Sequence, residues 1–398
     1  MSTLIISCVL LIVIIFLLIA AFNLIVDPYG LYYIINSKGF NTIKPAILKY
    51  KRGRVHRAYA IQRICPKTIV LGSSRAANLN NGHPSWRFKP VYNVSLPGAG
   101  IHETMYYFQY AHAVTPLRQI VLFIDFFLFN IYLNSYFDLN DRILAIIAQS
   151  QHINKFNHDV IYDALFSWNA VNASVNTIQR NRSKFLLRTA QTSTPNRNCL
   201  HSKFLERENI FINNKWRFKN YEIIDPETSV STYNYYRTIL KICHCDHIDM
   251  RVLISPIHAR LCEVIIASGL WQKFEEWKRM LVNINEEEAS QVGAQSFPLW
   301  DFSGYNSITT EPVPLLSDCD SKMLWYNDPS HFNRKLGDII LDRIFGHVNP
   351  NRSAPDDFGV LITSENIEQH IEKICNDRSK YAASHSDNIA EIRQMVNK

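Results

Sequence analysis

The sequence predicts an α/β protein in which a doubly wound, mostly parallel sheet of three-layer architecture follows an N-terminal transmembrane helix. Residues 4–26 form an uncharged apolar run, five short apolar segments follow between residues 65 and 301, and helical patterns separate most of these segments. Short, nearly continuous apolar runs are typical of strands buried on both faces of a parallel sheet. Their alternation with helices indicates a doubly wound fold. With 398 residues, 47% apolar and 19% charged, the chain is long enough for one large domain with appendages.

The apolar N-terminal run, LIISCVLLIVIIFLLIAAFNLIV, has the length of a helix that crosses a bilayer. A secretory signal peptide has a basic start, a shorter apolar core and a small-residue cleavage site. This chain starts with MST, and Ala20-Ala21 offers only a weak cleavage site. We therefore predict an uncleaved single-pass anchor over residues 1–27.

A basic juxtamembrane segment, residues 28–64, follows the anchor. Eight Lys and Arg residues lie between Lys38 and Arg63 without an acidic residue, although the net charge of the whole chain is only +7. Beside an anchor, an anionic lipid surface is the simplest partner for such a cluster. Nucleic acid is not an expected partner.

The predicted α/β domain covers residues 65–350. Its strands are expected at 68–71, 91–95, 119–125, 250–255 and 296–301, and its helices at 102–114, 270–292 and 334–345. Residues 126–241 interrupt the alternation and are predicted to be a mostly helical insertion that covers one end of the sheet. The tail, residues 351–398, is predicted to form one or two polar helices without chemistry of its own.

The eight cysteines do not indicate a compartment. Cys243-His244-Cys245 is their one close pair, and its spacing is poor for zinc. A metal site with His244 and His247 is conceivable, but a surface loop with ordinary thiols is the simpler interpretation. We predict no metal and no organic cofactor.

The first candidate for chemistry is Ser74, in Leu71-Gly72-Ser73-Ser74-Arg75 directly after the first strand. In open α/β sheets, ligands bind beyond the carboxyl ends of the strands. A serine on a tight turn there presents its hydroxyl to the crevice beside free backbone N–H groups. The same tripeptide is also a common turn, so the interpretation depends on partners elsewhere.

Those partners lie in Trp325-Tyr326-Asn327-Asp328-Pro329-Ser330-His331, just before the last helix of the domain. A serine hydroxyl becomes a nucleophile when an imidazole takes its proton, and a carboxylate holds the imidazole in the right tautomer. Asp328 and His331 supply both groups, although a solvated turn with a capping Asp gives the same pattern. A third segment, Asn93 to Gly100, follows the second strand, and the Gly98 N–H is either an oxyanion donor or part of a plain loop.

In this order, Gly-x-Ser, Asn-x-x-x-x-Gly and Asp-x-x-His resemble three sequence blocks of the SGNH (GDSL-like) hydrolase superfamily. The resemblance implies an SGNH/flavodoxin-like fold with Ser74 as nucleophile, His331 as base and Asp328 as its orienting carboxylate. It also implies an oxyanion hole formed by the N–H groups of Ser74 and Gly98. The family's Gly-x-Asn-Asp block is missing, because the third strand ends in Asp125-Phe126-Phe127.

Departures in that block are familiar in membrane-tethered members, the alginate O-acetylation and teichoic-acid D-alanyl transfer proteins, which this chain resembles more closely. The resemblance implies an acylated glycan or other ester substrate and a multi-pass membrane acyltransferase partner. It also implies a periplasmic or otherwise extracytoplasmic domain, although a literal count of basic residues after the anchor favours the cytoplasm. The alternative is a non-catalytic scaffold that binds a glycan or the acyltransferase, and the missing amide favours it.

Three residues are weaker candidates for substrate binding. Arg75, beside the nucleophile, either binds a substrate carboxylate or caps a structural acid. His258 and Arg260 follow the fourth strand and are expected near the same crevice, where they bind an anionic or sugar group or belong to a packed loop.

Overall fold

The computed structural model of the chain describes residues 2–45, 50–136, 158–189, 199–213 and 220–397. Its strands are β1 (Thr68–Leu71), β2 (Val91–Asn93), β3 (Gln119–Ile124), β4 (Asp249–Ile254), β5 (Leu299–Asp301), β6 (Tyr326–Asp328), β7 (His331–Phe332) and β8 (Val360–Leu361). Its α-helices are α1 (Ser2–Val26), α2 (Tyr50–Ile64), α3 (Ile101–Val114), α4 (His158–Phe166), α5 (Trp168–Thr189), α6 (Leu200–Asn213), α7 (Tyr233–Cys245), α8 (Ala259–Ala267), α9 (Trp271–Gln291), α10 (Arg334–Phe345), α11 (Ile367–Ser384) and α12 (Ser386–Val396). The predicted strands and helices of the α/β domain are present, with ends shifted by a few residues at most.

Six strands form one sheet in the order β2-β1-β3-β4-β5-β8. The first five are parallel, and β8 pairs antiparallel with β5. Every residue of β1 and β3 is buried, as expected for strands covered on both faces. The prediction of an α/β chain with a mostly parallel sheet is confirmed. The strand order reverses beside β1, which is where open α/β sheets form their binding crevice.

The chain divides into two compact units. Unit 1 contains residues 1–64 and 139–196, and unit 2 contains residues 65–138 and 197–398. The whole sheet belongs to unit 2. Residues 126–241, predicted as one helical insertion, are helical where they are described apart from short irregular stretches and isolated bridges, and they contribute to both units.

In unit 1, side chains from the following segment cap the carboxyl end of α1. The Asn41 amide donates to the carbonyl of Val26 at 3.1 Å, and Lys44 Nζ donates to the carbonyl of Asp27 at 2.6 Å. The last carbonyls of a helix lack intrahelical partners, and these bonds supply donors to the carbonyl groups at the end of α1. Lys44, one of the basic residues predicted to face lipid, is therefore buried in this cap.

Across the described parts of the chain, Thr3–Val26 is the one helix that is long and apolar enough to cross a membrane. Its length, composition and position also fit a signal sequence.

Two cysteine features belong to unit 2. Cys199 and Cys319 form a disulfide that links the start of α6 to the loop before β6. Cys243 to Cys245, expected in a loop, instead form the last turn of α7, and burial raises the pKa of the Cys243 thiol. Within the ranges that the structure describes, no group of three or more His, Cys, Asp or Glu side chains is arranged to hold a metal ion.

The tail contains the predicted helices, here α11 and α12, but it also adds β8 to the edge of the sheet. A two-residue strand has no sequence pattern of its own, because its formation depends on pairing with β5.

Candidate active site

The candidate nucleophile lies on a tight turn that only glycine permits. Gly72 follows β1 with φ of +135°, and a Cβ there would lie 2.6 Å from the Phe123 carbonyl oxygen. The Ser73 side chain then caps a short 3-10 helix, Ser74–Asn78, by accepting the Arg75 N–H at 3.3 Å. Ser74 is half-buried, so its hydroxyl is held in place and still reachable.

The structure brings together Ser74, His331 and Asp328. Ser74 Oγ lies 2.7 Å from His331 Nε2, and His331 Nδ1 lies 2.8 Å from Asp328 Oδ2. Since a carboxylate only accepts hydrogen bonds, Nδ1 carries the proton and Nε2 is free to accept from the Ser74 hydroxyl. These contacts are within hydrogen-bond reach and match the order of groups in a serine nucleophile site.

Asp328 also fixes the shape of its own loop. Its Oδ1 accepts the backbone N–H groups of Ser330 at 2.8 Å and of His331 at 3.0 Å. Burial opposes ionisation of this carboxyl group, but the hydrogen bond from His331 and the charges of His331 and Arg207 outweigh it, so the pKa of Asp328 lies below its usual value. Asp328 is therefore ionised at neutral pH and can stabilise a charged imidazole.

Side chains on the 3-10 helix hold the two halves of the site together. Arg75 Nε donates to the Ser330 carbonyl at 2.9 Å, while its Nη1 lies 2.6 Å from Asp125 Oδ1. The Asn78 amide donates to the Phe332 carbonyl. The 3-10 helix after β1 supplies the serine and the β6–β7 hairpin supplies the histidine, and these bonds fix the distance between them.

The helix α10 after the hairpin packs closely against the same 3-10 helix. A Cβ on Gly337 would lie 2.6 Å from the Asn78 carbonyl oxygen. Glycine at this position therefore allows the backbone of α10 to approach the turn that carries Ser74.

The end of β3 differs chemically from the Gly-x-Asn-Asp block. Asp125 Oδ2 accepts the Ser73 hydroxyl at 2.5 Å, and Oδ1 pairs with Arg75. An ionised carboxylate has no proton to donate to an oxyanion. Asn130 lies in the following turn, where its Oδ1 accepts the N–H groups of Tyr132 and Glu222 at 3.3 Å.

The loop that carries Gly98 is tied to the nucleophile turn. The Leu96 N–H donates to the Gly72 carbonyl at 2.7 Å, and the Asn93 amide donates to the Ala76 carbonyl at 2.7 Å. Gly98 has φ of +68°, a conformation that favours glycine. Its role as an oxyanion donor stays a prediction.

The weaker candidates have internal partners. Arg75, His258 and Arg260 are all nearly fully buried. His258 caps α8 by accepting the Arg260 N–H, its Nε2 contacts the Glu311 carbonyl at 2.7 Å, and burial lowers the pKa of its ring to about 3. Arg260 forms a buried bidentate pair with Glu208 at 2.7 and 2.8 Å. These contacts match the structural alternatives for Arg75, His258 and Arg260, and contact with substrate stays a prediction.

Several residues at the site have no local sequence signal. Arg207, on α6, lies 3.8 Å from Asp328 Oδ2 and is partly exposed. Three other residues contact parts of the site that are far away in sequence, namely Asn78, Asp125 and Gly337. No spacing rule identifies such contacts. Alignment of related sequences is the kind of signal that detects such positions.

No protein-family model matches the chain, and no curated protein sequence matches it significantly. A serine, an imidazole and a carboxylate in hydrogen-bonded sequence are the groups that turn a hydroxyl into a nucleophile. The described residues therefore bring together the groups that general-base activation of a serine hydroxyl requires.

Proposed function

We propose that this chain is a serine-dependent acyl-ester hydrolase or O-acyltransferase of the SGNH type. The observation that carries the proposal is the hydrogen-bonded series Ser74 Oγ, His331 Nε2 and Nδ1, and Asp328, with contacts of 2.7 and 2.8 Å. In this proposal Ser74 Oγ attacks the carbonyl carbon of an acyl ester and His331 takes its proton. The leaving alcohol then receives that proton, and the acyl group stays on Ser74.

The second half of the reaction decides between the two activities. Attack by water on the Ser74 ester gives hydrolysis, and attack by a sugar hydroxyl gives transfer. In either case the N–H groups of Ser74 and Gly98 are proposed to stabilise the oxyanion.

The order of the elements supports the SGNH-type fold. Ser74 follows β1, Gly98 follows β2, and the Asp328–His331 hairpin precedes the last helix of the α/β domain, α10. Asp125 is the departure, because it supplies carboxylate oxygens where the family has an amide donor. The missing amide donor at Asp125 is the observation that favours the alternative, a scaffold without turnover.

We further propose that α1 is an uncleaved anchor and that unit 2 lies outside the cytoplasm, with an acylated envelope glycan as substrate and a multi-pass membrane acyltransferase as partner. The Cys199–Cys319 disulfide supports this side of the membrane, since disulfides persist in oxidising compartments. Alkaline phosphatase fused after residue 398 folds only where disulfides form. An inactive fusion, together with an active cytoplasmic reporter at the same junction, would reverse the proposed orientation.

Turnover of a chromogenic ester by the detergent-solubilised chain tests the enzymatic proposal. Ser74→Ala and His331→Ala are each expected to lower kcat by at least about 100-fold, and their combination to be little worse, because a triad acts as a unit. Asp328→Asn should retain a small fraction of the wild-type turnover. The control is Ser364→Ala, which changes an exposed serine elsewhere in unit 2 and should leave turnover unchanged.

Wild-type protein that is folded but shows no turnover, and that binds glycan, would support the scaffold instead. Where turnover is found, adding candidate glycans separates the two activities. Acyl groups recovered on glycan indicate transfer, and release to water alone indicates hydrolysis.

A further inference from the structure

The side chains of α1 are exposed over its first part. All residues from Leu4 to Leu18 are exposed, whereas Asn23 and Val26 are buried in unit 1. An exposed apolar surface of this kind needs a lipid environment. The inference below rests on the proposal that α1 is a membrane anchor.

Two contacts locate the corner between α4 and α5 along α1. Ser174, on α5, donates its hydroxyl to Asn23 Oδ1 at 2.8 Å. The ring of Phe166, at the end of α4, lies 6.3 Å from the ring of Phe16. Phe16 precedes Asn23 by two helical turns, or about 10 Å. The corner therefore reaches back along α1 towards its N-terminus.

The part of α1 before this corner is too short for a bilayer. From Leu4 to Phe16 the helix rises about 18 Å at 1.5 Å per residue. The hydrocarbon core of a bilayer is about 30 Å thick. A bilayer that accommodates α1 must therefore extend past Phe16, unless it thins locally, and it then meets the α4–α5 corner.

The corner presents the side chains that favour a membrane interface. Tyr162 is 60% exposed and Trp168 is 73% exposed, while Ala164 and Ala170 of the same two helices pack inward. Tyrosine and tryptophan prefer the headgroup level, because their rings have an apolar body and a polar group. Asp163 is also exposed, which favours the headgroup level over the hydrocarbon.

We propose that Tyr162, Phe166 and Trp168 form an aromatic corner that inserts into the membrane interface beside α1. The ring of Phe166 lies 5.6 Å from that of Tyr162 and bridges this residue to α1. Unit 1 then contacts the bilayer through two elements, a spanning helix and an interfacial corner. The corner restricts rotation and tilt of α1, which a single helix leaves free.

Tryptophan quenching by brominated lipids tests this proposal on the full chain in phosphatidylcholine vesicles. The matched variant is Trp168→Phe, which keeps an apolar ring, and the difference between the two emission spectra isolates Trp168. Its emission should be quenched more strongly by lipids brominated near the headgroup than by lipids brominated near the chain end. Aqueous iodide should quench it weakly.

Efficient iodide quenching of Trp168, with no effect of either brominated lipid, would overturn the insertion of the corner. Flotation of the vesicles separates this result from failure of the anchor, since a chain that does not float overturns both the anchor and the inference. Ester turnover in the same vesicles reports on the serine site independently of either result.

Discussion

Replacing Arg75 by methionine tests what holds the candidate site together. The guanidinium is 3% exposed, pairs with Asp125 at 2.6 Å and lies over the ring of Phe127 at 4.7 Å. Methionine fills part of the space but leaves the Asp125 carboxylate buried without its counter-charge. Removing one partner of a buried pair costs about 3–5 kcal/mol. The Ser330 carbonyl also loses its donor.

For a unit of this size, we expect the variant to lower Tm by roughly 5–9 °C, measured by thermal unfolding in detergent. The double variant Arg75→Met/Asp125→Asn should regain most of the loss, because it removes the stranded charge. The matched control is Arg279→Met, which breaks a bidentate but surface pair with Glu368. Exposed pairs contribute about 0–1 kcal/mol.

A loss for Arg75→Met no larger than that of the Arg279→Met control would refute this explanation. It would indicate that Arg75 is not needed to neutralise Asp125. A selective rise in KM for acidic esters, without loss of Tm, would instead favour the substrate-binding role considered from the sequence.

Three further predictions concern the surroundings of the triad. Gly337→Ala puts a Cβ 2.6 Å from the Asn78 carbonyl oxygen, so it should displace α10 and lower ester turnover by about tenfold or more. The control is Gly82→Ala, whose Cβ would have its nearest neighbour 3.4 Å away and which should leave turnover unchanged. Asp328 has a lowered pKa in the folded chain, so its contribution to stability is present above the unfolded value of about 3.9 and is lost as pH falls through the folded value. The Tm difference between wild type and Asp328→Asn should therefore shrink below about pH 4, and a difference that grows there would contradict the assignment. Cys199→Ser removes a disulfide with a sequence separation of 120 and should lower the free energy of unfolding by about 2–5 kcal/mol. An unchanged midpoint of chemical denaturation would show that the bond does not stabilise the protein.

The sheet was predictable because its strands carry their own pattern. The ends of the strands are less predictable from the sequence, because hydrogen bonds from side chains elsewhere in the chain determine where pairing stops. The fifth strand was expected from residue 296 but begins at Leu299, because Asn285 bonds both backbone groups of Phe297 and removes them from the sheet. The second strand ends at Asn93, whose amide turns to the Ala76 carbonyl.

Some contacts of the candidate site are likewise predictable from the sequence, and others are not. Ser74, Asp328 and His331 stand in short motifs whose chemistry is visible in the residues themselves. Arg260 pairs with Glu208, 52 residues earlier on α6, and with Glu391 on α12, and no local pattern indicates either pairing. From the sequence, its place after β4 suggests substrate binding, whereas in the structure its charge is neutralised inside the protein.

The covalent adduct of a fluorophosphonate probe, located by tandem mass spectrometry on the full chain, tests the nucleophile most directly. The probe reacts only with an activated serine, so we expect an adduct on Ser74 in the wild type and none in His331→Ala. The neighbouring Ser73 is fully buried and donates to Asp125, so it should stay unmodified. An adduct on Ser73 or on a serine outside this turn, or no adduct on folded protein, would contradict the assignment of Ser74.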